Sequence, residues 1–311
     1  MALRGAMLAV ALTVLAARSD AESPDRRSVY GGVEIGNTET RRLLAGVMLQ
    51  WNAWEVDAQL ARADFQLPDI EARSTAASAG LKHDFGQWYA GGGARRSELE
   101  NVSTTSGWYA DLAYRFDTVR LSLEWEARRT RLEPTPFTEV LGGELGVRTG
   151  TSRCEVGSRG YQARADLDRP SWLGFVSLRT FDYRDFSCSL ALAGSGNGPP
   201  THARGRALGR RLGEQSLQVV NGFASRLIPR EALLLDSSLA LGVTLPVDEH
   251  WIGGAEIYRD IEETGSRYDT ALLFASRPLD DTWTVELSFG FSDAEDVRDT
   301  AFAGIRMSAD L

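Results

Sequence analysis

Apolar and polar residues alternate along most of this chain, and the pattern is cleanest between Gly107 and Arg128. Trp108, Ala110, Leu112, Tyr114 and Phe116 take every second position, with Tyr109, Asp111, Ala113 and Arg115 between them. After Asp117–Thr118 the alternation resumes as Val119, Leu121, Leu123, Trp125 and Ala127, separated by Arg120, Ser122, Glu124, Glu126 and Arg128. A period of two means extended strands with one apolar and one charged face. The short break predicts an antiparallel hairpin. Each strand runs ~10–12 residues, enough to cross a bilayer at a tilt of ~45°. A soluble barrel turns such an apolar face inward, whereas a membrane barrel turns it outward and keeps charge inside.

The same texture recurs elsewhere. Leu43, Ala45, Val47, Leu49 and Trp51 share one face, and Trp54, Val56, Ala58 and Leu60 face away from Glu55, Asp57 and Gln59. Ser74 to Ser97 predicts a hairpin about Phe85–Gly86, weakened by Gly91-Gly92-Gly93. Glu98 to Thr105 reads as a polar loop, Pro134 and Pro136 as an interruption, and Thr149 to Ser158 as a loop holding Cys154. Phe186 to Leu192 is a short strand or part of an excursion. Gly194 to Arg211, with a double Pro and several arginines, is a long external loop or one folded inward to constrict a pore. Trp283, Val285, Leu287, Phe289 and Phe291 line one face late in the chain. The segments number about sixteen, or fourteen if two belong to extended loops, with no linker between them.

The N-terminus carries Arg4, an apolar run from Ala6 to Ala17, and Ser19-Asp20-Ala21. That is the pattern of a secretory signal peptide, residues 1–21, cleaved after Ala21. The run is too short to span a membrane, and no comparable run follows it. The net charge of −9 argues against nucleic acid as a partner. Lys82 is the sole lysine, so the positive charge is nearly all arginine. Arginine suits bidentate pairing with carboxylates in a crowded lumen, although the base composition of the coding sequence is the simpler explanation of the bias. Cys154 and Cys188 are the only cysteines, and an exported chain meets an oxidising compartment, so a disulfide between them is possible.

The choice between inward and outward is made by the tryptophans and the last strand. Trp51, Trp54, Trp88, Trp108, Trp125, Trp172, Trp251 and Trp283 lie near strand ends and turns, as interfacial anchors do. At the end of the chain, Ile305, Met307, Ala309 and Leu311 alternate with Arg306, Ser308 and Asp310. This resembles the closing strand and C-terminal signal of Gram-negative outer-membrane β-barrel proteins of the porin-like class, departing from it in ending on Leu. The resemblance implies recognition by the outer-membrane assembly machinery. Residues 22–311 are therefore expected to form one all-β domain: a single transmembrane antiparallel up-and-down barrel of about 14–16 strands in the cell outer membrane. The competing expectation is an exported all-β protein with an apolar interior.

Catalytic patterns are sparse. No Walker loop, HExxH, CxxC or GxSxG occurs, and none of His83, His202 and His250 pairs locally with a Ser and a carboxylate in a way that forces a triad. His202, in the Gly/Pro stretch, is the best candidate for an outer-rim hydrolase of lipid or peptide. No enzyme activity, cofactor or metal is expected. The remaining signal is the charged faces, which place Glu55, Asp57, Asp111, Arg115, Arg120, Glu124, Glu126, Arg128, Glu286 and Arg306 in the lumen. Arginines opposed to carboxylates there either select solutes in a channel or form a pairing network in a plugged, anchoring barrel with an envelope partner.

Overall fold

The computed structural model describes residues 26–37, 40–67, 70–140, 147–192, 235–248, 250–262, 265, 267–294 and 297–311. They form fourteen strands: β1 (Arg26–Gly36), β2 (Arg41–Trp51), β3 (Trp54–Leu67), β4 (Ile70–Asp84), β5 (Trp88–Leu99), β6 (Ser103–Phe116), β7 (Val119–Val140), β8 (Val147–Arg169), β9 (Trp172–Leu192), β10 (Leu235–Pro246), β11 (Ile252–Glu262), β12 (Arg267–Pro278), β13 (Trp283–Ala294) and β14 (Val297–Asp310). Each pairs antiparallel with its sequence neighbours, and β1 pairs with β14 to close the barrel. Closure leaves no unpaired sheet edge, the condition for a sheet to sit in lipid.

Ladder register fixes which side chains share a face. In β6–β7, Leu112 opposes Leu123 and Ala110 opposes Trp125, while Asp111 opposes Glu124 and Tyr109 opposes Glu126. The apolar set is the outer one: Leu112 is 45% exposed, Leu123 64% and Phe289 56%. The inward-apolar expectation is thereby overturned. Side chains that a soluble barrel would enclose form the surface, because charged partners occupy the inside.

Turns join the strands at one end, and most tryptophans mark that end. Trp54, Trp88, Trp172 and Trp283 each open the strand after a turn, and Trp251 directly precedes β11. The turns are built locally. Asn52 takes a left-handed conformation (φ 49°) between β2 and β3, and Gly86 does so (φ 90°) between β4 and β5. In the β12–β13 turn, the N–H groups of Thr282 and Trp283 donate to Asp280 Oδ1 at 2.8 and 2.7 Å. In the β10–β11 turn, those of His250 and Trp251 donate to Asp248 Oδ1 at 2.7 and 2.8 Å, which holds the Asp248 carboxyl below the usual carboxylate range. A second aromatic level lies toward the other end, where the Trp108 and Trp125 rings meet edge to face at 4.5 Å. From Trp108 to Phe116 is ~27 Å along the strand, or ~21 Å of height at a ~40° tilt, close to the ~25 Å apolar band of an outer-membrane barrel.

At the loop end β7, β8 and β9 outgrow their neighbours, with 22, 23 and 21 residues against 11 to 15 elsewhere. Three sequence expectations are corrected here. Pro134 and Pro136 do not end a strand; β7 runs through them, accommodated by a register shift between Leu132 and Thr135. Thr149 to Ser158 is strand, not loop, because it pairs on both sides, with β7 and β9. Glu98 to Thr105 is likewise strand except for a turn at residues 100–102, where Asn101 is left-handed (φ 61°). Phe186 to Leu192 belongs to β9, an existing strand, and the described residues form fourteen strands in one closed barrel. Cys154 is disulfide-bonded and lies directly opposite Cys188 in the β8–β9 ladder. The signal-peptide segment, the stretch Gly194 to Arg211 and His202 lie outside the described residues.

Candidate functional site

The inner wall is laid out by the same register. Glu55, Asp57, Asp111, Arg115, Arg120, Glu124, Glu126, Arg128, Glu286 and Arg306 all fall on the face opposite the exposed apolar rows. They do not form one cluster. They divide into a turn-end group and a mid-barrel group on β3–β9, and a separate pair on β13–β14.

The mid-barrel group is the densest. Glu124 accepts two hydrogen bonds from the Arg95 guanidinium, both at 3.1 Å, and one from Arg179 at 2.9 Å. Glu126 accepts from Arg128 and Arg179, each at 2.8 Å, and from Arg95 at 3.4 Å. Arg128 also stacks on the Phe181 ring at 4.4 Å, Arg179 lies over the same ring at 5.2 Å, and Arg95 covers Tyr109 at 4.2 Å. Glu126 is only 2% exposed and Arg128 7%. Such charges are stable there because three guanidinium forks and two carboxylates satisfy one another at close range. Three arginines facing two glutamates leave this belt with a local positive excess.

Toward the turn end the wall opens and the charges become half-exposed. Lys82 Nζ sits 3.1 Å from Glu55 and 3.7 Å from Asp57. Asp111 lies beside Lys82 above Gly91. Arg115 and Arg120, opposite each other in the β6–β7 ladder, flank the Tyr89 ring at 5.2 and 5.0 Å. Arg164 pairs with Asp166 at 2.7 Å and lies over Phe175 at 4.1 Å. Across the barrel, Arg306 donates to Glu286 at 2.9 Å. Toward the loop end Arg42 donates to Glu34 at 3.1 Å.

Six inner aromatic rings have a glycine as their direct ladder partner: Tyr30 with Gly46, Tyr109 with Gly93, Phe175 with Gly242, Phe181 with Gly160, Phe274 with Gly254, and Phe302 with Gly290. A Cβ at Gly254 would lie 2.2 Å from the Phe274 ring, and one at Gly290 would lie 2.0 Å from the Phe302 ring. The rings therefore lie flat in the space a side chain would fill, against the wall.

Sequence reading missed Arg95, Arg179, Lys82 and the Glu34–Arg42 pair. Aromatic residues do not mark the outer face throughout: Phe181 shares the inner face with Arg179, and Tyr109 lies inside, on the charged face, beside outward Trp108. Around Arg95 the glycines at 91–93 give no face to count from. The signal that finds these residues is aliphatic parity: Leu178 is exposed, so Arg179 must point inward.

The histidines do not assemble a catalytic group among the described residues. His83 packs between the rings of Trp54 and Phe85 at 4.3 and 4.2 Å, and His250 is part of an exposed turn. No group of three or more His, Cys, Asp or Glu suited to a metal occurs among the described residues.

No family model matches the chain, and no curated protein matches its sequence. Solved structures do match. CymD, a monoaromatic hydrocarbon channel, is 7% identical with a TM-score of 0.50, covering 92% of this chain and 87% of its own. OpdK of Pseudomonas aeruginosa, solved with vanillate, is 9% identical with a TM-score of 0.38 over 92% of this chain and 98% of its own. The KdgM porin, in complex with oligogalacturonate, is 8% identical with a TM-score of 0.39 over 91% and 99%. At these identities the likeness is one of fold, and it agrees with the closed fourteen-strand ladder: the chain is similar in architecture to porin-like outer-membrane barrels.

Proposed function

We propose that the barrel is an outer-membrane channel through which small polar or charged solutes cross without covalent chemistry. The observation that carries this reading is the direction of the inner ion pairs. Arg95–Glu124, Arg179–Glu126, Lys82–Glu55 and Arg306–Glu286 each join strands no more than two apart. The charges thus run along the wall rather than across the cavity. Fourteen strands ~4.8 Å apart and tilted by ~40° enclose a cylinder about 28 Å across, backbone to backbone, wider than side chains alone fill. Arginines and carboxylates set around such a lumen create a transverse field that discriminates solutes by size and charge. Export with cleavage after Ala21, and delivery to the assembly machinery through β14, belong to the same reading; the alternation of Ile305, Met307 and Ala309 supports the second.

The test is reconstitution of the folded protein in a planar bilayer. Discrete conductance steps are expected, and folded protein that inserts without steps defeats the reading. A second reading, a closed anchoring barrel with an envelope partner, is favoured by the loop-end inner wall, where Leu99, Leu132, Val156 and Tyr268 are buried. That reading expects no conductance and co-purification with the partner.

A further inference from the structure

The outer wall carries a feature that the lumen does not use. On β5–β9 the outward rungs can be followed from the belt toward the loop end. Leu112, Leu123, Ala163 and Leu178 form one rung, and Ala110, Trp125, Tyr161 and Thr180 form the next. Above them lie Ala94, Trp108, Ala127, Arg159 and Asp182, then Arg96, Ser106, Arg129, Gly157 and Arg184, then Glu98, Thr104, Arg131, Glu155 and Ser187. Arginine therefore begins where the tryptophans end, at the height of lipid headgroups. In these last three rungs five arginines meet three acids.

Among the described residues, local pairing does not cover these arginines. Arg129 Nε is 3.0 Å from Glu155 and Arg131 Nε is 3.6 Å from the same carboxylate, yet both arginine side chains stay about 70% exposed. Arg184 pairs with Asp182 and is still more than half exposed. A recess of about 500 Å³ opens here, lined by Arg129, Arg159, Arg184, Glu155, Gly157 and Ser187. Its floor is irregular: the β8–β9 register slips between Glu155 and Gly157, placing an extra residue on β9, the kind of bulge that re-aims side chains. At the same level on β11–β13 the charges balance, since Arg259 and Arg267 both bind Asp269 and a second acid, Asp293, stands directly opposite it on β13.

The geometry points to this recess as a binding site for the phosphorylated headgroup of a lipid in the surrounding leaflet, held by Arg129, Arg159 and Arg184 while its chains lie on Trp125, Tyr161 and Leu123. Guanidinium forks match phosphate oxygens, and at the membrane interface the anions held at the height of these arginines are lipid phosphates.

The experiment uses the folded barrel in dodecyl maltoside, with the fluorescence of the adjacent Trp108–Trp125 pair as readout. The probes are diphosphoryl lipid A, the same lipid without its phosphates, and inorganic phosphate. Saturable binding is expected for diphosphoryl lipid A alone. The triple variant Arg129→Gln, Arg159→Gln, Arg184→Gln should bind it at least ~10-fold more weakly, whereas Arg259→Gln with Arg267→Gln should match the unmodified protein. Equal affinity in the triple variant, or equal binding of the phosphate-free lipid, overturns the site. Saturation by inorganic phosphate at the same concentration assigns the arginines to a free anion and overturns the lipid. Should the triple variant fail to fold, Arg159→Gln alone decides, unchanged affinity counting against the site. Bilayer conductance should be the same in the triple variant, which separates this outer site from the lumen.

Discussion

The two sides of the lumen use one building unit to different ends. On β5–β9, rings seated on glycines serve as shelves for cations: Tyr109 carries Arg95, and Phe181 carries Arg128 and Arg179. On β11–β14 and β1–β2 the same unit recurs at Phe274, Phe302 and Tyr30, with small or hydroxylated neighbours such as Ser276, Ser288, Gly304 and Ser308. One wall carries a connected ionic network; the other is mainly aromatic, with separate pairs such as Arg306–Glu286 and Arg42–Glu34. The difference teaches that charge in this barrel is an addition to a wall already made flat by ring–glycine pairing.

The largest effect should come from breaking the ionic wall at its centre. Glu126→Gln leaves Arg95, Arg128 and Arg179 sharing one carboxylate, Glu124, in a nearly dry position. A loss of about 3–5 kcal/mol in unfolding free energy is expected, measured by urea titration of the barrel in detergent or lipid. A loss under 1 kcal/mol would mean that the arginines are solvated and the network is not a structural unit.

The aromatic wall should be more forgiving in stability and more sensitive in passage. Gly254→Val drives a side chain into the Phe274 ring and should cost ~1–3 kcal/mol while pushing the ring into the lumen. Single-channel conductance should fall. Unchanged conductance alongside the stability loss would show that this wall does not bound the path. The smallest effect is expected at the Arg306–Glu286 pair, which is half-exposed. Arg306→Gln should change stability by under ~1 kcal/mol, and its effect should shrink further in high salt.

The hairpin of β6 and β7 was legible in the sequence because the alternation from Trp108 to Arg128 is interrupted only at Asp117–Thr118, and the register follows from that turn of two residues. The long extensions of β7–β9 were not legible. Prolines at 134 and 136 and the small polar residues around Cys154 carry turn chemistry locally, and only pairing with two neighbours makes them strand. The acid side of the mid-barrel network, Glu124 and Glu126, was likewise visible in one strand. Of its cations Arg128 was visible in the same strand, but the other two were not, since Arg95 and Arg179 lie 29 and 53 residues away from their carboxylates. Sequence periodicity sorts residues into faces; it does not say which strand lies two places around the cylinder.

The ring–glycine pairs carry a last consequence, for how the cylinder assembles. Phe302 on β14 lies between Gly290 on one side and Gly36 on the other, and the second of these contacts belongs to the seam that joins the first strand to the last. Sliding either strand by one residue would set the ring against Phe289 or Phe291, or against Ile35, and turn it toward the wrong side of the sheet. A misaligned closure therefore deprives the ring of both glycine seats, so that the chain carries its own alignment gauge at the joint between its first and last strands.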